Sequence, residues 1–203
     1  MRTPEESRPD APAHDFAPYL AEASEMLASS LDYQATLTSL AHLAVPRLAD
    51  WCAIDMLEED GSIKLLAVTH KDPGKGTRGR ELRRRYPPDP DAPQGVPGVL
   101  RSGKPEFYPE VTDEMLVASA RDAEHLHIMR EVGFTSVMIL PLVARGRTLG
   151  TITLVLAESG RRYEDGDLAL AEALAHRAAL AVDNARLYSE AQREIAERER
   201  VEK

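Results

Sequence analysis

A carboxylate set inside an apolar strand is the first residue of this chain that demands a chemical explanation. Asp55 stands in Trp51-Cys52-Ala53-Ile54-Asp55-Met56-Leu57, where an unpaired charge would cost on the order of several kcal/mol. It therefore needs a charged partner, a water or an exposed strand end. Polar and aromatic residues at comparable positions in neighbouring strand-like runs are Trp51, His70, Tyr108, Thr151 and Thr153. With Asp55 they define an expected small-molecule pocket between the Thr151/Thr153 face and the segment 71–134. Thr is also common in strands for its β-branched shape alone, which is the competing reading of Thr151 and Thr153.

Other chemistry-bearing residues lack the company a reaction needs. Gly74-Lys75-Gly76-Thr77-Arg78-Gly79 spells G-x-G-x-x-G. A dinucleotide site requires that run inside a parallel βαβ unit, whereas here it follows a hairpin, so a flexible basic loop is expected. No Gly-Lys-Ser/Thr occurs to make a phosphate-binding loop. His125 and His127 stand two apart in a helical segment and point away from each other, so they do not clamp one metal ion. His176 lies among Ala and Arg and reads as a packed or solvated surface residue. Cys52 is the single cysteine; inside a buried strand, with no helix N-terminus to lower its pKa, it reads as a small hydrophobe.

Composition narrows the function classes. The chain has 203 residues with 25 Lys+Arg against 34 Asp+Glu, a formal charge of -9. Such a surface repels phosphates over most approaches, so no nucleic-acid partner is expected. One cysteine excludes an internal disulfide and fits a reducing cytoplasm. No apolar run approaches the ~18 to 20 residues that span a bilayer, so no membrane segment is expected.

These residues must be held by strands and helices that the pattern outlines. Thr135 to Ala157 reads as a buried β-hairpin, two Val/Ile/Leu/Thr-rich runs turning at Arg145-Gly146-Arg147. In its second run Gly150, Ile152, Leu154 and Leu156 share one face, and Leu149, Thr151, Thr153 and Val155 the other. Trp51 to Leu57 and Ile63 to His70 form a second hairpin around Glu58-Glu59-Asp60-Gly61. Met1 to Ala13 reads as a flexible tail. Helical spacing follows from Phe16 to Leu27 and, behind Asp32 as N-cap, from Leu37 to Leu48, with Pro46 kinking or ending that helix. Between His70 and Phe134 the expectations are a basic helical turn or two at Arg78 to Tyr86, irregular chain at Pro87 to Pro93, a short strand at Glu106 to Tyr108, and one or two helices from Asp113 ended by Gly133. A long helix is expected from Asp165, itself read as its N-cap.

The hairpin and this last helix carry a resemblance. Gly133-Phe134-Thr135-Ser136-Val137-Met138-Ile139-Leu140-Pro141-Leu142 with Arg147-Thr148-Leu149-Gly150-Thr151-Ile152-Thr153-Leu154 resembles the G-x-x-S-x-x-x-x-P-L and G-x-x-x-G-x-x-x-L hairpin of GAF sensory domains. Ala181-Val182-Asp183-Asn184-Ala185-Arg186-Leu187-Tyr188 resembles the family's A-x-x-N-A-x-L-Y closing helix. The segments Ala49 to Ala53 and Tyr86 to Asp89 are most similar to GAF modules of bacterial PAS/GAF sensor histidine kinases and serine phosphatases. The resemblance implies an α+β fold: an antiparallel sheet with N- and C-terminal helices on one face and a loop-covered pocket on the other. It spans residues 14–188. It also implies a non-catalytic regulatory module that binds a small ligand or relays a conformational change, and it leaves the ligand and any cofactor unknown. The alternatives are a dimerisation module with a filled cavity, or a haem- or bilin-binding sensor. Against the last, Cys52 lacks the following His of the bilin motif, and no spacing marks a haem ligand. The cyclic-nucleotide constellation of the family is not recognisable, and its sulfoxide-reducing members need several cysteines.

The C-terminal helix is expected to be dimer contact and output lever together. Leu174, Ala178, Ala181, Ala185, Tyr188, Gln192 and Ile195 alternate steps of four and three. Beyond Tyr188 the residues 189–203 are mostly Glu, Arg and Lys with Ile195 as the clear apolar contact, which suits a signalling helix leading into an output domain of a longer chain.

Overall fold

In a computed structural model, which describes residues 17–201, both hairpins, the short strand and the N- and C-terminal helices form where the sequence indicates. The expectations for Met1–Ala13, Phe16 and Lys203 lie outside the described residues. Helices α1 (Ala17–Ala28) and α2 (Tyr33–Ala44) lead into the hairpin β1 (Trp51–Leu57) and β2 (Ile63–His70). Asp32 caps α2 by accepting from the Gln34 and Ala35 amides, and extended Val45 ends it ahead of Pro46. Next come α3 (Pro73–Arg85), α4 (Gly95–Ser102), β3 (Glu106–Tyr108), α5 (Asp113–Ser119) and α6 (Ala123–Val132). The second hairpin, β4 (Ser136–Ala144) and β5 (Arg147–Leu156), then joins α7 (Asp165–Val201). The five strands pair antiparallel in the order β2-β1-β5-β4-β3, the α+β architecture expected.

The two faces of this sheet are covered differently. On one, Cys52, Ile54 and Met56 of β1, Met138, Leu140 and Leu142 of β4, and Ile152, Leu154 and Leu156 of β5 pack with apolar residues of α1, α2 and α7. The long helix serves this core with Leu170, Leu174, Ala178 and Val182, each buried Leu or Val side chain contributing ~1.5 to 3 kcal/mol. The opposite face carries a smaller cluster in which Val96, Val99 and Leu100 of α4 close over Ile139.

Three expectations are corrected. The G-x-G-x-x-G run is no loop but the first half of α3, because Pro73 opens the helix and Asp72 caps it by accepting from the Gly74 amide. Gly79 serves packing: a Cβ there would strike the Trp51 ring and Val68, so its absence lets α3 lie close on β1 and β2. Leu149 turns to the main core, because the β4/β5 register shifts at Leu142/Val143 and breaks the alternation of faces there. Asp165 is the first residue of α7 rather than its cap; the Glu164 amide before it donates to the carboxylate of Asp167.

Candidate functional site

Alternation along β1 sends Cys52, Ile54 and Met56 into the main core, which leaves Trp51, Ala53 and Asp55 for the other face. Antiparallel pairing then sets Asp55 opposite Thr151, Ala53 opposite Thr153 and Trp51 opposite both Val155 and His70. Two register shifts meet at this point, Ile54/Asp55 against β2 and Leu142/Val143 against β5. Gly150 lies beside them, where any Cβ would collide with the Asp55 carbonyl oxygen. Bulges of this kind bend a strand and re-aim a side chain.

Asp55 is fully buried, and its partner comes from the last turn of α3. Arg83 donates from Nη2 to Asp55 Oδ1. Burial pushes the Asp55 carboxyl above its ordinary value, and the Arg83 guanidinium opposes that rise without cancelling it. The pair is incompletely satisfied: Asp55 Oδ2 and Arg83 Nε are buried with no hydrogen-bond partner among the described residues. The same holds for Thr151 Oγ1, Thr153 Oγ1 and Trp51 Nε1 on this face. Buried polar atoms of a folded protein are nearly all paired, so this concentration singles the region out.

A cavity of about 330 Å³ opens against the pair, lined by Asp55, Ile63, Leu65, Arg83, Arg84, Pro87 and Pro88. Its volume sits at the lower end of the ~300 to 1,000 Å³ typical of small-molecule sites. The walls from β2 and the Pro87-Pro88 segment are apolar, the floor is an ion pair, and Arg84 is exposed at the mouth.

The six expected pocket residues separate on inspection. Asp55 lines the cavity and Thr151 is its cross-strand neighbour. Trp51 lies beneath α3 with its ring centroid 4.4 Å from that of His70. Tyr108 belongs to β3 at the far edge of the sheet, three strands from Asp55, where its hydroxyl donates to Glu106 Oε2 at 2.6 Å. Arg83, Arg84, Ile63, Leu65, Pro87 and Pro88 were not anticipated. The signal for Arg83 was present in Asp55 itself, since a buried carboxylate calls for a cation and Arg83-Arg84-Arg85 is the strongest local basic run.

His70 anchors a second polar cluster. Its Nδ1 accepts from the Asp72 amide at 2.8 Å, which puts the imidazole proton on Nε2, 2.8 Å from Glu158 Oε1. Glu158 lies between β5 and α7 and also receives Lys75 of α3 at 2.7 Å. The Lys75 ammonium and His70 hold its carboxyl below the ordinary range against the opposing effect of burial. The start of α3 is thereby tied to the segment that enters α7.

The remaining candidates are placed apart. Cys52 is buried in the main core, where desolvation pushes its thiol up to about 12, which removes the thiolate that nucleophilic attack requires. His125 stacks on Tyr86 with ring centroids 4.2 Å apart, while His127 is exposed and lies 3.4 Å from Glu131. His176 is exposed on α7. No group of three or more His, Cys, Asp or Glu among the described residues is arranged to hold a metal ion. On α7, Ala185 is buried in the domain's own core and Ala181 packs against it, whereas Tyr188 and Ile195 are exposed together with Leu180 and Leu187. None of the described helices is long and apolar enough to cross a membrane.

Comparison with known proteins agrees with this architecture. A GAF domain from a phosphoenolpyruvate-protein phosphotransferase of Coxiella burnetii shares 15% identity and superposes with a TM-score of 0.65, covering 89% of this chain and 99% of that one. The free methionine-R-sulfoxide reductase of Neisseria meningitidis shares 15% identity with a TM-score of 0.59, covering 93% and 99%. A domain described as part of a two-component sensor histidine kinase of Sinorhizobium meliloti shares 19% identity with a TM-score of 0.51, covering 77% and 95%. No curated protein matches the chain. The model of the GAF domain family matches residues 32–182, which takes in α2, the whole sheet, α3 to α6 and the first half of α7. The chain belongs to the GAF domain family.

Proposed function

We propose that this chain is a non-catalytic sensory domain of a signal-transduction protein, which binds a small molecule against Asp55 and Arg83 and passes the change to α7. The observation that carries this reading is the half-satisfied ion pair at the floor of the 330 Å³ cavity. Stability alone does not favour such a pair, because apolar residues of similar volume generally do as well or better. A ligand that completes it regains the cost of two unpaired buried groups.

A physical path for output supports the same reading. Arg83 stands on α3, whose first turn is held through Lys75 and Glu158 to the segment entering α7. Arg145 in the β4–β5 turn pairs with Asp183 of α7 at 2.7 Å, a second link between sheet and helix. We assign the exposed stripe Leu180, Leu187, Tyr188 and Ile195 to a homodimer contact with the same stripe of a second copy, and α7 to driving an output domain. Structural neighbours include a domain of a sensor histidine kinase and a chemotaxis protein, which fits a signalling role.

The Neisseria neighbour is a reductase, but the single cysteine here is buried in the core and offers no thiolate, which speaks for regulation over sulfoxide or bilin chemistry. The alternative, a purely structural module, draws support from α4, whose Val96, Val99 and Leu100 fill the half of this face around Ile139. Fluorescence decides between them, since Trp51 is the only tryptophan and sits under α3. A metabolite panel that shifts its emission saturably supports the sensor; a panel with no effect, on protein free of bound small molecules, supports the structural module.

A further inference from the structure

Resting on the ligand-site reading above, we infer that the site takes a free α-amino acid with an apolar side chain: its ammonium on Asp55, its carboxylate on Arg83 and Arg84, and its side chain against Ile63, Leu65, Pro87 and Pro88. The argument starts from charge. Asp55 and Arg83 form a buried pair of opposite sign. A simple anion entering beside it meets the Asp55 carboxylate, and a simple cation meets the Arg83 guanidinium; neither gains from the pair as a whole. A zwitterion matches both members at once.

The free atoms have the right chemistry for this. Asp55 uses Oδ1 on Arg83 and leaves Oδ2 as an acceptor, which suits an ammonium. Arg83 uses Nη2 on Asp55 and leaves Nε–H as a donor, which suits a carboxylate oxygen. Arg84, also in the lining, stands at the mouth with its guanidinium exposed and only a 3.5 Å contact to Glu81. It is placed to complete recognition of the carboxylate. The rest of the lining is Ile63, Leu65, Pro87 and Pro88, with no other polar side chain. Such walls suit an aliphatic or aromatic side chain and offer nothing to a sugar or a polyol.

The test is isothermal titration of the intact chain with the twenty free L-amino acids, and with N-acetyl-L-leucine and L-leucinamide, which each lack one charge. The expected result is saturable binding of at least one apolar amino acid, with each blocked analogue at least about tenfold weaker, as follows from losing one charge-assisted hydrogen bond. Arg84→Ala, at an exposed position, is expected to weaken the same amino acid about tenfold while leaving the melting temperature unchanged. The inference is overturned if no free amino acid binds, or if the blocked analogues bind as tightly as leucine. If amino acids fail while another metabolite shifts Trp51 fluorescence, the zwitterion assignment falls and the ligand-site reading stands; if nothing binds, both fall.

Discussion

Arg83 and Asp55 are separated by a hairpin turn, a strand and most of a helix, yet the guanidinium of one closes on the buried carboxylate of the other on strand β1. The contact fixes where α3 lies on this face, and it leaves Oδ2 and Nε without partners.

Removing one member of this pair is predicted to cost far more than removing both. Asp55→Ala or Arg83→Ala should each lower stability by ~3 to 5 kcal/mol, because a buried charge is left alone. The double replacement Asp55→Leu/Arg83→Met should return most of that loss. Urea unfolding of the four proteins measures it, and a double variant no more stable than either single one contradicts the account.

Acid should act through Asp50 instead. Its Oδ2 accepts from the Ala157 amide at 2.8 Å, and from the Ser159 amide at 3.0 Å and hydroxyl at 2.7 Å. Burial works against the charge, but these bonds prevail and hold the carboxyl below its ordinary value of 3.8. A depressed folded-state pKa contributes stability that is present above the unfolded value and lost as the pH falls through the folded one. Unfolding free energy should therefore drop as the pH falls below about 4, and Asp50→Ala should both destabilise at neutral pH and flatten that drop. An acid limb unchanged by the substitution would show that other carboxylates control it.

The exposed stripe of α7 yields a prediction about association. Two symmetry-related copies of Ile195, each burying ~1.5 to 3 kcal/mol of apolar surface, imply that Ile195→Asp weakens a dimer at least about 100-fold. Leu187→Glu should act in the same direction without lowering the melting temperature, since Leu187 is exposed on the domain surface. Sedimentation of both variants and the wild type reads this out, and a wild type that stays monomeric at high concentration contradicts the dimer.

Strong local rules made much of this fold legible. The Val/Ile/Leu/Thr-rich runs on either side of tight turns, the Asp32 cap and the left-handed Gly133 each specify structure within a few residues. The site was legible only in part. Asp55 announced itself as a charge in an apolar strand, but its partner sits 28 positions away, and no local pattern encodes that pairing. The first half of α3 was hidden because its glycines read as a loop, while the Trp51 ring and Val68 make Gly79 a packing position. Leu149 was placed on the wrong face because a bulge breaks the alternation the sequence suggests. The seam on α7 was read to include Leu174 and Ala178, which the domain uses for its own core, and Ala185, which is buried as well; small residues suit either packing equally well.

The most direct test of the ligand site is to purify wild type and Asp55→Leu/Arg83→Met in parallel, dialyse both against the same cell extract, and identify by mass spectrometry what each releases on denaturation. The account predicts a small molecule released in about one-to-one ratio from the wild type and absent from the folded double variant. Equal release from both proteins, or none from the wild type, would contradict it.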